Sequence, residues 1–569
     1  MFNSRTILLA VLTVAVMATP SEARRSSLSG NLLAGQTALT LRDSDAAGTF
    51  LTEALRQDPG NSALTERLFQ VKLSTGDMEG AEQLAKRILE FNSQHRMARI
   101  VLGLKDFKAR RYEAARQNFT EASYTPVGEL TSALLAAWSY AGEGSLAAAM
   151  RALDKLDGND SFANFKSFHA ALIADYLRSS VRAEAAYKKA YQDAGTSLRV
   201  TQAYANFLAR NGRIEEARKV YGDFLAGGDR NAIIEEALKN LSDGKPPKPF
   251  ITTPQAGAGE ALFSLAAAMN DDQSIELALL YAQLAMAFST DRPVMLTMLG
   301  DILTTAQRFE QANAAYDQVD AASALRANAD TEIALNLQRL DQKQEAETRM
   351  KALLAREPGS YESWVALGNI YRNMERYADA SASYDAALKL EPNAQRSQWS
   401  VYYYRGISFE RQKKWPQAEA DFRKALELSP DEPSVLNYLG YSLIDSGLKL
   451  DEALAMVKKA VDLRPNDGYI VDSLGWAYYR LQDFDNAVTQ LERAVDIKPG
   501  DPVIADHLGD AYWRVGRTLE AKFQWQHAKD NKPEAEELAQ IEEKLKHGLP
   551  DLPPLVKPAD NGQPAPSNG

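Results

Sequence analysis

The amino-acid sequence predicts an all-α protein, built as an open solenoid of tandem helix pairs. Three segments, NYLGYSLIDSG, VDSLGWAYYRLQD and ADHLGDAYWRVGR, place a glycine at the same point of one pattern, and these glycines are 35 and 34 residues apart. Each segment is followed by a second apolar run and then by a proline. A period of this length is typical of helical hairpins stacked in a row, in which every hairpin buries one face against its neighbour.

One unit, residues 361–392, shows why the spacing favours helices. Its first half places apolar or small residues at i, i+3, i+4 and i+7, which form one stripe of a helix: Trp364, Leu367, Gly368 and Tyr371. Its second half carries the matching stripe of a second helix: Ala380, Tyr384 and Ala387. The small residues let the two helix axes approach closely, and Pro392 ends the second helix.

The same small position marks the first helix of many other units. We expect the glycines at this position to lie at contacts between helices: Gly35, Gly103, Gly300, Gly368, Gly406, Gly440, Gly475 and Gly509. Stepping through the chain with this period predicts about six repeats in residues 28–230 and about eight in residues 259–533. A charged capping helix is expected at 534–547 and a proline-rich disordered tail at 548–569.

The period breaks between the two arrays, at residues 231–258. A short helix is predicted first, followed by a stretch rich in proline and glycine from Asp243 to Gly259. Proline removes a backbone donor and glycine is costly to order, so this stretch is a candidate linker or hinge. The alternative is an ordered excursion that packs on the solenoid.

Residues 1–23 have the three parts of an export signal. Arg5 supplies the positive start, an apolar run follows it, and Ser21, Glu22 and Ala23 form a small-x-small cleavage site. The apolar run is too short to span a bilayer comfortably, which favours cleavage near Ala23. We therefore expect a periplasmic protein, or a secreted one, with no integral membrane span after cleavage.

The composition argues against several functions. The formal net charge of −11 argues against a nucleic-acid binder, because phosphate neutralisation needs clustered lysine and arginine. The chain has no cysteine, so it has neither a disulfide nor a lipid-modified cysteine. Its five histidines are scattered, and it has no phosphate loop, dinucleotide fingerprint or nucleophile elbow. We therefore expect no catalytic residue, no metal and no cofactor.

The unit at 361–392 resembles the tetratricopeptide repeat signature at every position of its two stripes, from Trp364 to Pro392. The resemblance extends over residues 28–533 apart from the break near 231–258. It is weaker in the first array, where Phe69 and Lys72 replace a small and an aromatic residue, and Arg405 replaces a leucine in the second. This resemblance implies a right-handed superhelix whose concave groove, lined by the first helices, binds peptides or partner proteins.

Helical phase then predicts which residues of the second array face this groove. They are the first-helix residues that lie off the packing stripe: Tyr403, Arg411, Asn437, Tyr441, Asp472, Trp476, Tyr479, Arg480, Asp506, Asp510, Trp513 and Arg514. Aromatic residues and arginine are enriched at protein-binding hot spots. The alternative is that Trp476 and Trp513 only pack against the next helix. The first array offers fewer such residues, namely Trp138, Phe168 and Asn206.

The late repeats and the export signal are similar to those of exported bacterial envelope adaptors. The resemblance implies a non-enzymatic scaffold that holds partner proteins or peptides, such as substrates presented to a processing protease or cell-wall enzymes. The alternative is a structural subunit of a secretion or exopolysaccharide-export complex.

Overall fold

The computed structural model describes residues 27–195, 197–226, 231–245, 247–271, 273–392 and 395–551. Regular secondary structure in these ranges is helical, and it includes three short 3-10 turns at Asp154–Leu156, Asp160–Phe162 and Arg396–Gln398. The predicted export signal and residues 552–569 of the predicted tail lie outside the described ranges. The predicted all-α fold is confirmed.

Helix pairs fill the first part of the chain. Six pairs come first: α1 Leu28–Thr40, α2 Ser44–Gln57, α3 Ser62–Ser74, α4 Met78–Phe91, α5 Arg96–Lys108, α6 Tyr112–Glu121, α7 Pro126–Gly142, α8 Leu146–Leu153, α9 Ala163–Tyr176, α10 Ser180–Ala194, α11 Leu198–Arg210 and α12 Ile214–Ala226. A single helix and two further pairs follow: α13 Ala232–Ser242, α14 Pro254–Ala268, α15 Ile275–Met286, α16 Arg292–Thr305 and α17 Phe309–Asp317.

The remaining helices continue the pattern and end in a single helix. They are α18 Arg326–Arg339, α19 Lys343–Arg356, α20 Tyr361–Asn373, α21 Tyr377–Leu390, α22 Trp399–Arg411, α23 Trp415–Leu428, α24 Pro433–Asp445, α25 Leu450–Leu463, α26 Gly468–Arg480, α27 Phe484–Ile497, α28 Pro502–Arg514, α29 Thr518–Asp530 and α30 Ala535–His547. In the part of the chain that the structure describes, no helix is both long and apolar enough to cross a membrane.

The chain divides into two compact units, residues 1–329 (unit 1) and 330–569 (unit 2). This boundary differs from the division that we expected at 231–258, because α14–α17 belong to unit 1. From Pro254 the expected linker is helical, and Ala256, Gly257 and Ala258 are buried. The glycine and proline residues indicated only a weak local preference for regular structure, whereas tertiary contacts order this stretch.

Side-chain caps and tight turns set the helix boundaries. Asp467 caps the start of α26 and Asp501 caps the start of α28, and each carboxylate accepts hydrogen bonds from two backbone N–H groups of the first turn. In most pairs the turn between the two helices contains a residue in the left-handed region, for example Gln482 with φ 59° or Gly516 with φ 83°. Only the second of these is a glycine, so the turn is held by the packing of the pair as well as by its own residue.

The predicted packing glycines lie where a first helix meets its second helix. A Cβ atom on Gly368 would lie 2.5 Å from Cε1 of Tyr384, and one on Gly509 would lie 2.5 Å from Cδ1 of Trp525. The other six contact the second helix of their own pair in the same way: Gly35, Gly103, Gly300, Gly406, Gly440 and Gly475. Tyr371, Ala380 and Tyr384 are buried, whereas Trp364 is half-buried and Pro392 is exposed beyond the end of α21. These close approaches exclude any larger residue unless the helices move apart.

Arg405 occupies a position where the repeat pattern places leucine. Its Nε and Nη2 donate to the two carboxylate oxygens of Asp421 at 2.7 and 2.6 Å, and its Nη1 donates to Asp385 at 2.7 Å. Asp421 is buried, at 6% exposure. The departure from the repeat pattern is thus a polar contact inside the repeat, and α22 continues through it without a break.

Candidate functional site

The candidate site is the first-helix face of unit 2. We use this name for the surface of α20, α22, α24, α26 and α28 that lies away from their second helices. Within this face α20 contacts α22, α24 contacts α26, and α26 contacts α28. Each repeat therefore adds one helix to the face, and residues at equivalent positions of neighbouring repeats form rows across it.

The part of the face on α22 and α24 carries Tyr403, Asn437 and Tyr441, all half-buried. Tyr403 packs edge-on against Tyr438 of the next first helix, with ring centroids 5.9 Å apart. Burial raises the pKa of both Tyr403 and Tyr441 to about 12, so both keep their hydroxyl protons at neutral pH. The Oδ1 atom of Asn437 is buried and has no hydrogen-bond partner. A buried amide oxygen without a partner is costly unless something else satisfies it.

The middle of the face is an aromatic stack on α26 and α28. The Trp476 ring lies between the rings of Tyr479 and His507, with centroid distances of 4.7 and 4.1 Å. Nδ1 of His507 lies 3.0 Å from a carboxylate oxygen of Asp472. Burial lowers the pKa of His507, but the negative charge and hydrogen bond of Asp472 outweigh it, so the net shift is upward. Trp476 is half-buried in this stack. It therefore packs against the next first helix, as one interpretation expected, and still exposes part of its ring on the face, as the other expected.

The next part of the face is closed by the capping helix α30. Nζ of Lys544 donates to Asp506 at 2.6 Å and to Asp510 at 2.9 Å. Asp510 also accepts a hydrogen bond from Nε1 of Trp525 at 2.9 Å. Burial raises the pKa of Asp510 although the Lys544 ammonium opposes the rise. These two carboxylates were expected to face a partner, and in the structure they hold the chain's own helix α30.

The end of the face is covered by the residues that follow α30. Nη1 of Arg514 donates to the backbone carbonyl of Pro550 at 2.7 Å, and its Nε donates to the hydroxyl of Tyr479 at 3.1 Å. Gly548 lies against the ring of Trp513, where an added Cβ atom would overlap it. Leu549 packs against the cluster of buried residues that α26 to α30 form. The first residues of the predicted disordered tail are therefore ordered, because this surface gives them partners.

Two arginines mark one edge of the face. Arg480 donates to the carboxylate and to the backbone carbonyl of Asp445, at 2.6 and 2.9 Å. Arg411 is exposed, and its Nε lies 3.6 Å from a carboxylate oxygen of Glu410. Of the predicted arginines, Arg411 is thus the most accessible to a partner.

In unit 1 the corresponding first-helix face is covered by a later segment of the same unit. Nδ2 of Asn206 donates to the backbone carbonyl of Lys248 at 2.7 Å. Gly257 of α14 lies against the fully buried ring of Trp138. Phe168 is also buried, at 4% exposure. Residues 247–253 and the start of α14 therefore cover Trp138 and Asn206, two of the predicted groove positions of the first array.

A buried ion pair fixes this arrangement. Nε and Nη2 of Arg199, on α11, donate to the two carboxylate oxygens of Glu260, on α14, at 2.9 and 2.6 Å. The guanidinium also lies 4.4 Å from the ring centre of Phe250. Tyr281 of α15 lies 2.9 Å from the hydroxyl of Thr131, and α15 also packs on α3. The covering segment is thus held by polar contacts and by packing.

Sequence reasoning missed His507, Lys544 and the residues after α30. His507 was counted among scattered histidines because histidine has no fixed role in the repeat pattern. One signal was present, since His507 and Asp472 lie on the first helices of neighbouring repeats, only one position out of register. No signal in the repeat pattern indicated that Lys544 would reach two groove carboxylates.

Comparison with known proteins agrees with the repeat architecture. One tetratricopeptide repeat family model matches residues 331–394, 365–433 and 438–502, and another matches residues 38–101. The chain is a tetratricopeptide repeat protein. Tetratricopeptide arrays offer extended surfaces to other proteins or peptides, so the chain has the architecture of a protein-binding scaffold.

The curated relatives are similar over limited stretches. A TPR repeat-containing protein of Pseudomonas aeruginosa is 37% identical over 81 residues, which are 14% of this chain and 14% of that protein. The human protein O-mannosyl-transferase TMTC1 is 24% identical over 180 residues, which are 32% of this chain and 20% of that protein. The chain thus spans a minor part of the length of these relatives.

Solved tetratricopeptide structures match over more of the chain, with low identity. The APC/C hetero-tetramer Cut9–Hcn1 covers 92% of this chain and 97% of its own at 13% identity, with a TM-score of 0.39. Yeast Tom70 covers 92% of this chain and 95% of its own at 16% identity, with a TM-score of 0.34.

Proposed function

We propose that the chain is a non-enzymatic adaptor of the bacterial cell envelope that holds an extended segment of a partner protein on the α22–α26 part of the first-helix face of unit 2. The observation that carries this proposal is the buried, unpartnered Oδ1 of Asn437 on α24, one turn before the half-buried Tyr441. A partner's backbone N–H would satisfy that oxygen once the side chains that cover it move aside, and the half-buried aromatic rings of α22 and α24 would supply the apolar contact.

The contacts within unit 1 support this mode of binding. There an asparagine of a first helix already holds the backbone of a non-helical segment, through the hydrogen bond from Asn206 to the carbonyl of Lys248. Backbone hydrogen bonds do not depend on the ligand's sequence, so they suit an adaptor that serves several partners. The export signal predicted at residues 1–23 supports a location in the periplasm. Substrates of a processing protease and cell-wall enzymes are the partner classes that we propose there.

The experiment uses Asn437→Leu, a change of similar shape without the amide. We expect partner capture to fall at least about tenfold, the effect of losing roughly 1.4 kcal/mol of binding. The free protein should become no less stable, because the change removes an unsatisfied buried oxygen. Capture is measured in cells with a photo-cross-linking residue at Arg411, on the face, and stability by urea unfolding.

A cross-linker at Leu463 provides the matched control, because this residue is exposed on the second helix α25. A partner bound on the first-helix face cross-links from position 411 and not from 463. Equal capture by Asn437→Leu and the unmodified chain would contradict the proposal. So would a loss of stability that accompanies the loss of capture, since that indicates a structural role for the asparagine.

A further inference from the structure

The two units hold segments of their own chain by the same chemistry. In unit 1, Gly257 lies on Trp138, and the carbonyl of Lys248 accepts a hydrogen bond from Asn206. In unit 2, Gly548 lies on Trp513, and the carbonyl of Pro550 accepts one from Arg514. Each segment therefore presents a glycine to a tryptophan of a first helix and a backbone carbonyl to a polar side chain. In unit 1 that side chain lies on a different first helix from the tryptophan, and in unit 2 it lies on the same one.

Both segments also contain proline beside the bonded carbonyl. Lys248 lies between Pro247 and Pro249, and Pro550 itself supplies the carbonyl in unit 2. Proline has no backbone N–H and restricts its neighbours to extended conformations, so little entropy is lost when such a segment docks. Glycine is required because the tryptophan ring leaves no space for a Cβ atom, and Gly548 additionally has φ 71°.

The unit 2 segment is attached differently from an ordinary helix cap. The capping helix α30 is already held by Lys544, through Asp506 and Asp510, and by the buried side chain of Ile541. The residues after it add separate contacts, from Gly548 to Trp513 and from Pro550 to Arg514. Their removal would uncover one tryptophan and one arginine without removing the contacts that hold α30.

We propose that Trp513 and Arg514 form a docking position for an extended segment containing glycine, an apolar residue and proline, and that Gly548–Leu549–Pro550 occupies it in cis as an autoinhibitory ligand. A partner that extends along the first-helix face must displace this segment to reach the α28 end. Only this last statement rests on the function proposed above. The docking position itself is tested without any partner.

The test uses full-length protein and a fluorescein-labelled synthetic peptide with the sequence of residues 547–556, HGLPDLPPLV. Gly548→Val dislodges the cis segment, since a side chain at this position overlaps Trp513. In the unmodified chain the attached segment competes at an effective concentration on the order of millimolar. We expect the peptide to bind Gly548→Val at least about tenfold more tightly than the unmodified chain, as measured by fluorescence anisotropy.

Three further variants make the result specific. Gly516→Val is the matched control, because Gly516 also has a positive φ of 83° but has no atom within 4 Å of an added Cβ. It should leave peptide binding at the level of the unmodified chain. Leu549→Ser loosens the segment without backbone strain and should raise binding by a smaller factor. Arg514→Met combined with Gly548→Val should abolish the gain.

The proposal is overturned if the peptide binds neither Gly548→Val nor Leu549→Ser, or binds them no better than the unmodified chain. It is also overturned if Gly516→Val has the same effect, or if the Arg514→Met combination retains the gain, because the peptide then binds elsewhere. Loss of partner capture in Asn437→Leu with no change in peptide binding separates the two proposals. Enhanced partner capture by Gly548→Val would support both proposals together, because it would mean that the partner displaces the cis segment.

Discussion

At the scale of single residues, the repeat pattern predicted positions better than partners. Helical phase placed Asp472 and Trp476 on the first-helix face, and the structure adds that His507 joins both of them. The partners depend on which side chains of the neighbouring repeat come within reach, and the pattern leaves those positions variable. Arg405 shows the same limit, because the pattern marks it as a departure without naming Asp421 and Asp385 as its partners.

Arg405→Leu restores the usual residue of the repeat, yet we expect it to destabilise the protein by about 3 kcal/mol. The change leaves the buried carboxylate of Asp421 without its bidentate partner, and an uncompensated buried charge is costly. Urea unfolding measures the loss. Arg411→Leu, a change of an exposed arginine on the same helix, should alter stability by less than about 0.5 kcal/mol.

Adding Asp421→Asn to Arg405→Leu should recover part of that stability, because a neutral amide is cheaper to bury than a charge. A stable Arg405→Leu protein would mean that leucine packing compensates for the lost ion pair. The double variant therefore distinguishes the charge from the shape of the side chain.

At the scale of elements, the helix pairs could be predicted and the covering of their faces could not. Helices α1–α12 and α14–α29 follow one another in pairs, since each pair is specified by neighbours close in sequence. The stretch from Asp243 to Gly259 was expected to be a hinge or a packed excursion. In the structure its second half packs on α7 and α9, which lie far from it in sequence. No local pattern encodes such a contact.

Gly257→Val tests whether α14 depends on its contact with Trp138. The new side chain overlaps the fully buried ring, so α14 must move away from α7. We expect a loss of about 2 kcal/mol in stability, and faster hydrogen exchange in α14 and α7, measured by mass spectrometry. The matched control is Gly222→Val, on α12, where an added Cβ meets no atom within 4 Å. Similar exchange in both variants would show that α14 is held without this contact.

At the scale of the whole molecule, stability is expected to be a sum of contacts between neighbouring helices, as in other solenoids. The buried His169 and the half-buried His507 make this sum depend on pH in opposite directions in the two units. Burial lowers the pKa of His169, in unit 1, to about 3, and its Nδ1 accepts a hydrogen bond from Nε1 of Trp138 at 3.1 Å. The pKa of His507, in unit 2, is raised above 6.5 by Asp472, although burial opposes the rise.

We therefore expect unit 1 to lose stability in acid and unit 2 in base. The unfolded chain protonates His169 near pH 6.5 while the folded unit 1 does not, so its contribution declines as pH falls, by about 2 kcal/mol at pH 5. His507 stabilises unit 2 fully below pH 6.5, and this contribution is lost as pH rises through its raised pKa.

Urea unfolding at pH 5, 7 and 9, resolved by pulsed hydrogen exchange into peptides of each unit, measures both effects. His169→Gln should remove the acid-dependent loss of unit 1, and His507→Gln the alkaline loss of unit 2. Identical pH profiles for the variants and the unmodified chain would assign the dependence to other groups.

The sequence by itself determined the all-α fold, the pairing of helices and which side of each first helix lies away from its partner. These features are local, because a period of about 34 residues and the stripes within it specify contacts between neighbours. Only the tertiary structure decided which parts of those faces are covered. The stretch before and into α14 covers the first-helix face of unit 1, and α30 with Gly548–Pro550 covers the end of that of unit 2. Such contacts join repeat helices to segments that do not follow the repeat pattern, and they stabilise the protein only once the helices have assembled.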